Sequence, residues 1–162
     1  MKNIYLHIPD RYSIDSGLVL ATVTRTSGST PQKPGSSALF GKNGLLYGTV
    51  GGGIVESKIQ NISIEALATK KSGHFHFNLA NDISNKEDAI CGGQISVLVD
   101  ASLSKNLGVF EQARQSLARR SAGVMITRLS GSDEKEVRID RFWISDSNVI
   151  VGDCTVNGRC RS

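Results

Sequence analysis

The stretch "GLLYGTVGGGIVES" (Gly44–Ser57) changes its period within a few residues. Its first half is apolar and reads as a strand. Beyond it, Ile54, Ile59, Ile62, Ala66 and Leu67 recur at roughly helical spacing. Between the two lie Gly51, Gly52 and Gly53, with Gly48 just upstream. Glycine inside a regular element costs about 0.5–1 kcal/mol relative to alanine, so the run needs a physical reason. One is a tight strand-to-helix turn with positive φ or close packing. The other is a helix start whose bare N–H groups converge on an anion at the positive end of the dipole. The run departs from the dinucleotide-binding fingerprint, because Glu56 stands where the third glycine belongs, and the phosphate-loop lysine is missing. Glu56 either stabilises the helix as a first-turn acid or accepts N–H groups of a ligand.

Upstream, "GLVLATVTRT" (Gly17–Thr26) is rich in β-branched residues and reads as a buried strand. "SGSTPQKPG" follows as a proline-stiffened loop, with Ser27, Ser29, Thr30, Lys33 and then Ser36 as hydroxyls and a cation suited to an oxyanion. Ser36–Phe40 against Leu45–Val50 reads as a hairpin turning at Asn43-Gly44. Downstream, the helix is expected to end at Gly73, with Lys70 and Lys71 in its last turn. "HFHFNL" alternates as a strand and puts His74 and His76 on one face, with no third metal ligand nearby. A polar loop leads to "ICGGQ" (Ile90–Gln94), then to the strand "QISVLVD". A second helix follows, ending near Gly123. Cys91 precedes two glycines, Gly92 and Gly93, at a strand mouth. It is a nucleophile or a metal or sulfur ligand if its pKa is lowered, and an inert buried thiol otherwise.

"RTSGS" at Arg25–Ser29 recurs as "RLSGS" at Arg128–Ser132. Each copy follows a β-like run and leads into an aromatic strand, a short turn and an apolar strand. This pattern suggests a duplicated strand–loop–hairpin unit of which only the first copy carries the prolines and glycines. The expected fold is mixed α+β, with about six to eight strands and two main helices, the copies sharing one sheet or forming two.

Several classes are excluded or disfavoured by composition. A chain of 162 residues suits one compact domain, burying roughly 70% of its unfolded surface. The net charge of +4 is scattered, its longest basic cluster being Arg114, Arg119 and Arg120 on the second helix. With 6% aromatics, nothing resembles a base-stacking platform for nucleic acid. Three cysteines, Cys91, Cys154 and Cys160, form neither a disulfide framework nor a CxxC metal set; the last two look incidental. The apolar run Leu18–Val23 is too short for a membrane span or signal peptide. A cytoplasmic protein is the expectation.

Three segments in order, "LATVTRTSGSTPQKPGSSALF", "GLLYGTVGGGIVES" and "CGGQISVLVD", resemble the XdhC/CoxI family, accessory factors of xanthine dehydrogenase and related molybdenum hydroxylases. The later "GVMITRLSGS" and "VIVGD" also fit, so that the resemblance runs over about residues 14–153. It implies a single domain over 1–162, with a core motif region at 14–100 and the helix plus second copy at 101–162. The family's C-terminal Rossmann-like domain is expected to be absent. It further implies a non-enzymatic chaperone that binds molybdenum cofactor, as molybdopterin or its dinucleotide form. Its partners would be a xanthine dehydrogenase-type hydroxylase, which receives the cofactor, and a cysteine desulfurase during sulfuration. Homodimerisation follows by family analogy. The implied cofactor site comprises Ser29, Thr30, Gly51, Gly52, Gly53, Glu56, Cys91, Gly92 and Gly93. In it the phosphate meets the glycine run and the Ser29/Thr30 loop, and Cys91 faces the molybdenum. Two alternatives stay open: a sulfur carrier or thiol enzyme using Cys91, and a pure protein-interaction module.

Overall fold

The computed structural model describes residues 3–79, 92–133, 136–146 and 150–152, with Ser132 as backbone only. A 3-10 turn, Ile4–His7, runs into helix α1 (Ile8–Ile14). Strands β1 (Val19–Ser27), β2 (Ser37–Gly41) and β3 (Gly44–Gly48) follow. Helix α2 (Gly53–Thr69) then precedes β4 (Gly73–Asn78) and β5 (Gln94–Asp100). A 3-10 turn at Leu103–Asn106 opens α3 (Leu107–Ala118), and β6 (Gly123–Asp133), β7 (Glu136–Ser145) and β8 (Ile150–Gly152) complete the described fold. This is the expected α+β class. The eight strands form two antiparallel sheets, ordered β3-β2-β1-β5-β4 and β6-β7-β8. Both echoed units are three-stranded meanders, one in each sheet. Among the described residues no helix is long and apolar enough to cross a membrane.

Period-two alternation divides the first sheet. Val19, Ala21, Val23, Ile95, Val97 and Val99 meet Val55, Ile59 and Ala66 of α2. The other face carries Leu18, Leu20 and Leu39 against Ile8, Leu103 and Phe110, so α1 and α3 cover that side. The N-terminal helix was not expected from the sequence, yet its Ile8 is fully buried. The second sheet packs on α3 through Met125 and Trp143, beside Val109 and Ala113, and Trp143 Nε1 donates to Ser116 Oγ at 3.1 Å.

Both main helices stop earlier than expected. Lys70, with φ of 59°, caps α2, and Arg120 adopts the same left-handed conformation beyond α3. Gly73 and Gly123 instead begin strands, pairing with Val99 and Ser145. The left-handed cap that glycine usually supplies falls on a basic residue because the glycine is already committed to a ladder.

A buried ion pair docks the second sheet. Asp100 at the end of β5 and Arg141 on β7 are 0% and 2% exposed. Asp100 also accepts from Ser102 N and Ser102 Oγ, both at 2.7 Å. Removing one partner of such a pair leaves a buried charge uncompensated and typically costs about 3–5 kcal/mol. We expect Arg141→Leu to lose that much in urea unfolding, and a loss under about 1 kcal/mol would mean that apolar packing alone holds the sheet. Nearby, burial works to raise the Asp140 carboxyl, but the hydrogen bond and charge of Arg128 and the charge of Arg138 outweigh it and hold it below its ordinary value. A depressed folded pKa stabilises above the unfolded value, near 3.9, and that contribution fades as pH falls through the folded value. Asp140→Asn should therefore be less stable than wild type at neutral pH, and the gap should close on acidification below about pH 4.

Candidate functional site

The sequence motifs meet at the end of the first sheet where β1 finishes and β5 begins. Antiparallel pairing sets Ser27 opposite Gln94, and the strand ends together carry the 28–36 loop and Gly92–Gly93 to one place. Gly93 is buried, and a Cβ there would run into the carbonyl oxygens of Ser29 and Ser27 and into Thr30 Cγ2. The close approach of two backbones explains this glycine. Leu79 N donates to Gly93 O at 2.9 Å and ties the end of β4 to the same point. On the far side of the loop, a Cβ on Gly51 would lie 3.1 Å from Pro31 Cγ. The loop therefore stands between the glycine run and the strand mouth and touches both.

The glycine run turns the chain into α2 with all three φ values positive. Gly52, the N-cap, has φ of 68° and ψ of −178°, a region close to glycine-only. Thr49 organises the turn. Its Oγ1 donates to Glu56 Oε2 at 2.6 Å and accepts from Gly51 N at 3.1 Å. The Gly51 amide is thus already engaged. At Gly52 and Gly53 a Cβ would meet nothing within 4 Å, so the approach to the helix start is open there. Glu56 stands half-buried in the first turn with one oxygen bonded to Thr49. The helix start therefore offers two open amide positions beside a carboxylate. That combination favours a neutral group with both donors and acceptors over a phosphate, which the carboxylate would repel.

In the loop, Thr30 Oγ1 donates to Gln32 O at 3.0 Å and Ser36 Oγ to Gln32 Oε1 at 2.9 Å, so both hydroxyls brace the turn. Ser29 and Lys33 are exposed. Gly92 is exposed with open space about its Cα. Cys91, assigned above as a thiolate or sulfur ligand, lies outside the described residues, as do Cys154 and Cys160. Among the described residues no cluster of three or more His, Cys, Asp or Glu could hold a metal ion.

Sequence reading missed the polar face behind the loop. A bulge between Val23 and Arg25 shifts the alternation of β1 by one residue. Val23 pairs with Val97 on the α2 side, whereas Arg25 pairs with Ser96 and Ser27 with Gln94 on the opposite side. On β4, His76 and Asn78 lie against those same two residues. The signal was present: Arg25 shares the parity of Ala21 and Val23, and an arginine cannot follow them into the core unpaired.

Comparison with known proteins adds to this geometry. Residues 15–78 match the model of the XdhC and CoxI family. The uncharacterized protein YqeB of Escherichia coli (strain K12) is 34% identical over 80 residues, which is 49% of this chain and 15% of that protein. A crystal structure described as a xanthine dehydrogenase from Bacillus halodurans superposes with a TM-score of 0.77 at 21% identity, over 94% of this chain and 46% of that one. The chain thus spans less than half the length of either relative, and the structural likeness speaks for the fold.

The two glycines at the strand mouth separate packing from local strain. Gly93→Ala should cost about 1–3 kcal/mol through overpacking and displace the 27–30 loop, whereas Gly92→Ala should fold as wild type does. Amide chemical shifts across residues 27–31 read the difference, and equal effects of the two changes would show that the close approach is not tight. The segment 15–78, which matches the model of the XdhC and CoxI family, contains the 28–36 loop and the glycine-run helix start.

Proposed function

We propose that this protein is an accessory factor of a xanthine dehydrogenase-type molybdenum hydroxylase, binding molybdenum cofactor at the sheet end and delivering it to the apo-enzyme. The observation that carries this reading is the meeting of Ser29–Thr30, Gly51–Gly53 and Gly92–Gly93 in a fold whose segment 15–78 matches the family. The protein then acts as a carrier, not an enzyme.

The donor set fits a pterin. A pterin edge presents amino and ring N–H donors beside a carbonyl acceptor. Glu56 supplies the acceptor for the first, and the amides of Gly52 and Gly53 are donors for the second. At the strand mouth Gly92 is exposed, with open space about its Cα. Ser29 and Thr30 lie close enough to Gly93 to close one wall. When bound, the cofactor supplies a sulfur-seeking molybdenum centre, for which Cys91 is the thiolate of choice in this chain. Cysteine desulfurase contact, homodimerisation and cytoplasmic residence belong to the same reading through the family resemblance.

Anaerobic titration with molybdenum cofactor tests it. Wild type should bind stoichiometrically, and Glu56→Gln and Cys91→Ala should each weaken binding about tenfold or more. Glu56→Gln also removes the carboxylate that Thr49 bonds, so circular dichroism must show α2 intact. A folded wild-type protein that does not bind would sink the carrier reading. Stable added sulfur on Cys91 after incubation with desulfurase and cysteine, without cofactor binding, would replace it with a sulfur carrier.

A further inference from the structure

On the open part of the sheet face turned away from α2, a cleft of about 540 Å³ is lined by Arg25, Ser27, His74, His76, Asn78 and Gln94, among others. The register stacks them in rows. Ser27, Gln94 and Asn78 form one; Arg25, Ser96 and His76 form the next. Thr24 Oγ1 lies 3.2 Å from Ser96 O and shares a 2.8 Å hydrogen bond with His74 Nε2. His76 Nδ1 shares a 2.6 Å hydrogen bond with Ser96 Oγ, and the two imidazoles meet edge to face at 4.7 Å. The rings are held in place by the strands beneath them.

Among the described residues no aspartate or glutamate lines the cleft, and Arg25 forms no ion pair with any described residue. The echoed unit offers an internal control. Arg128, its counterpart in the second copy, pairs in register with Asp140 and bonds it at 2.7 Å. Opposite Arg25 stands Ser96 of β5, a strand outside the echoed unit. The same pentapeptide thus has its cation neutralised in one copy and left facing a cleft of donors in the other.

We propose that this cleft binds a phosphate or diphosphate group. A guanidinium presents a fork of N–H donors that fits phosphate oxygens in pairs, and hydroxyl, amide and imidazole groups supply donors for the rest. Ser27, on the cleft wall, is also a residue whose backbone packs on Gly93, so the cleft adjoins the sheet-end site. A ligand bridging the two would set its neutral edge against Glu56 and its anionic end against Arg25. The identity of that ligand as molybdenum cofactor rests on the carrier reading; the anion site itself does not.

Calorimetric titration with inorganic pyrophosphate tests the site directly. Wild type should bind saturably at one site, Arg25→Met should bind about tenfold or more weakly, and Lys42→Met, at the exposed β2–β3 turn, should match wild type. No saturable binding by folded wild type, or an equal loss in Lys42→Met, would overturn the proposal. Competition then distinguishes the sources of the group: displacement by molybdenum cofactor assigns the cleft to the carried ligand, displacement by adenosine diphosphate alone assigns it to a separate nucleotide, and displacement by neither overturns it. If pyrophosphate fails to bind a wild type that takes up cofactor, the cleft falls and the carrier reading stands. Pyrophosphate binding that needs Arg25, in a protein that does not bind cofactor, leaves the reverse.

Discussion

The carboxylate of Asp100 holds the two halves of the molecule in one geometry. It ends β5, the strand between β1 and β4, and Arg141 reaches it from the middle strand of the second sheet. The partners around it belong to different elements. Ser72, just ahead of β4, hydrogen-bonds to Asp100 at 3.4 Å through its hydroxyl, and its carbonyl accepts from Val137 N of β7 at 2.8 Å. Asn106, at the entry to α3, accepts from Arg141 N at 3.0 Å, and the Arg141 guanidinium lies 5.2 Å from the Phe110 ring centroid. An apolar contact between the sheets would tolerate sliding, whereas a charged fork in a dry site accepts few orientations. The pair is costly to desolvate, and what it contributes is direction: β7 sits where Arg141 finds Asp100.

That docking has a consequence for the open face. Fixing β7 through Ser72 also fixes the start of β4, the strand that carries His74 and His76. Lys71 and Glu136 bond across the same junction at 2.6 Å. The first half of the sheet's outer face is sealed by α1 and α3, and the second sheet stacks on α3 rather than on the sheet itself. Among the described residues, the His-bearing half lines a cleft.

Much of the first sheet was legible in the residues. The β2–β3 hairpin was legible because turn chemistry is local, although its turn residues are Lys42 and Asn43 and Gly44 already pairs with Gly41, and β5 was legible as the strand "QISVLVD". The helix ends were not, because Gly73 and Gly123 look like caps until their ladder partners are known. Helix α1 escaped because its burial depends on Leu18, Leu20, Leu39 and Phe110, residues scattered across three other segments. The candidate site shows the same division. Ser29, Thr30 and the glycines announce themselves as unusual stretches of chain. Asn78 and Gln94 are ordinary residues that become a wall only through pairing register.

Arg25 lies on the boundary between the two kinds of information. Strict alternation from Ala21 and Val23 would turn its guanidinium into the apolar layer beneath α2, at a cost of several kcal/mol without a partner. A polypeptide can resolve that conflict by supplying a buried carboxylate, as it does for Arg141, or by slipping the strand by one residue. Here the bulge between Val23 and Arg25 takes the second course. It carries Arg25 and Ser27 together to the open face, and Thr24 bonds both His74 and the Ser96 carbonyl. A bulge also weakens the ladder it interrupts, so it needs a compensating gain. Solvating one arginine would require no ordered surroundings. Two hydroxyl-anchored imidazoles and the amides of Asn78 and Gln94 line the same cleft as that guanidinium, and this shared lining is the physical argument for a ligand.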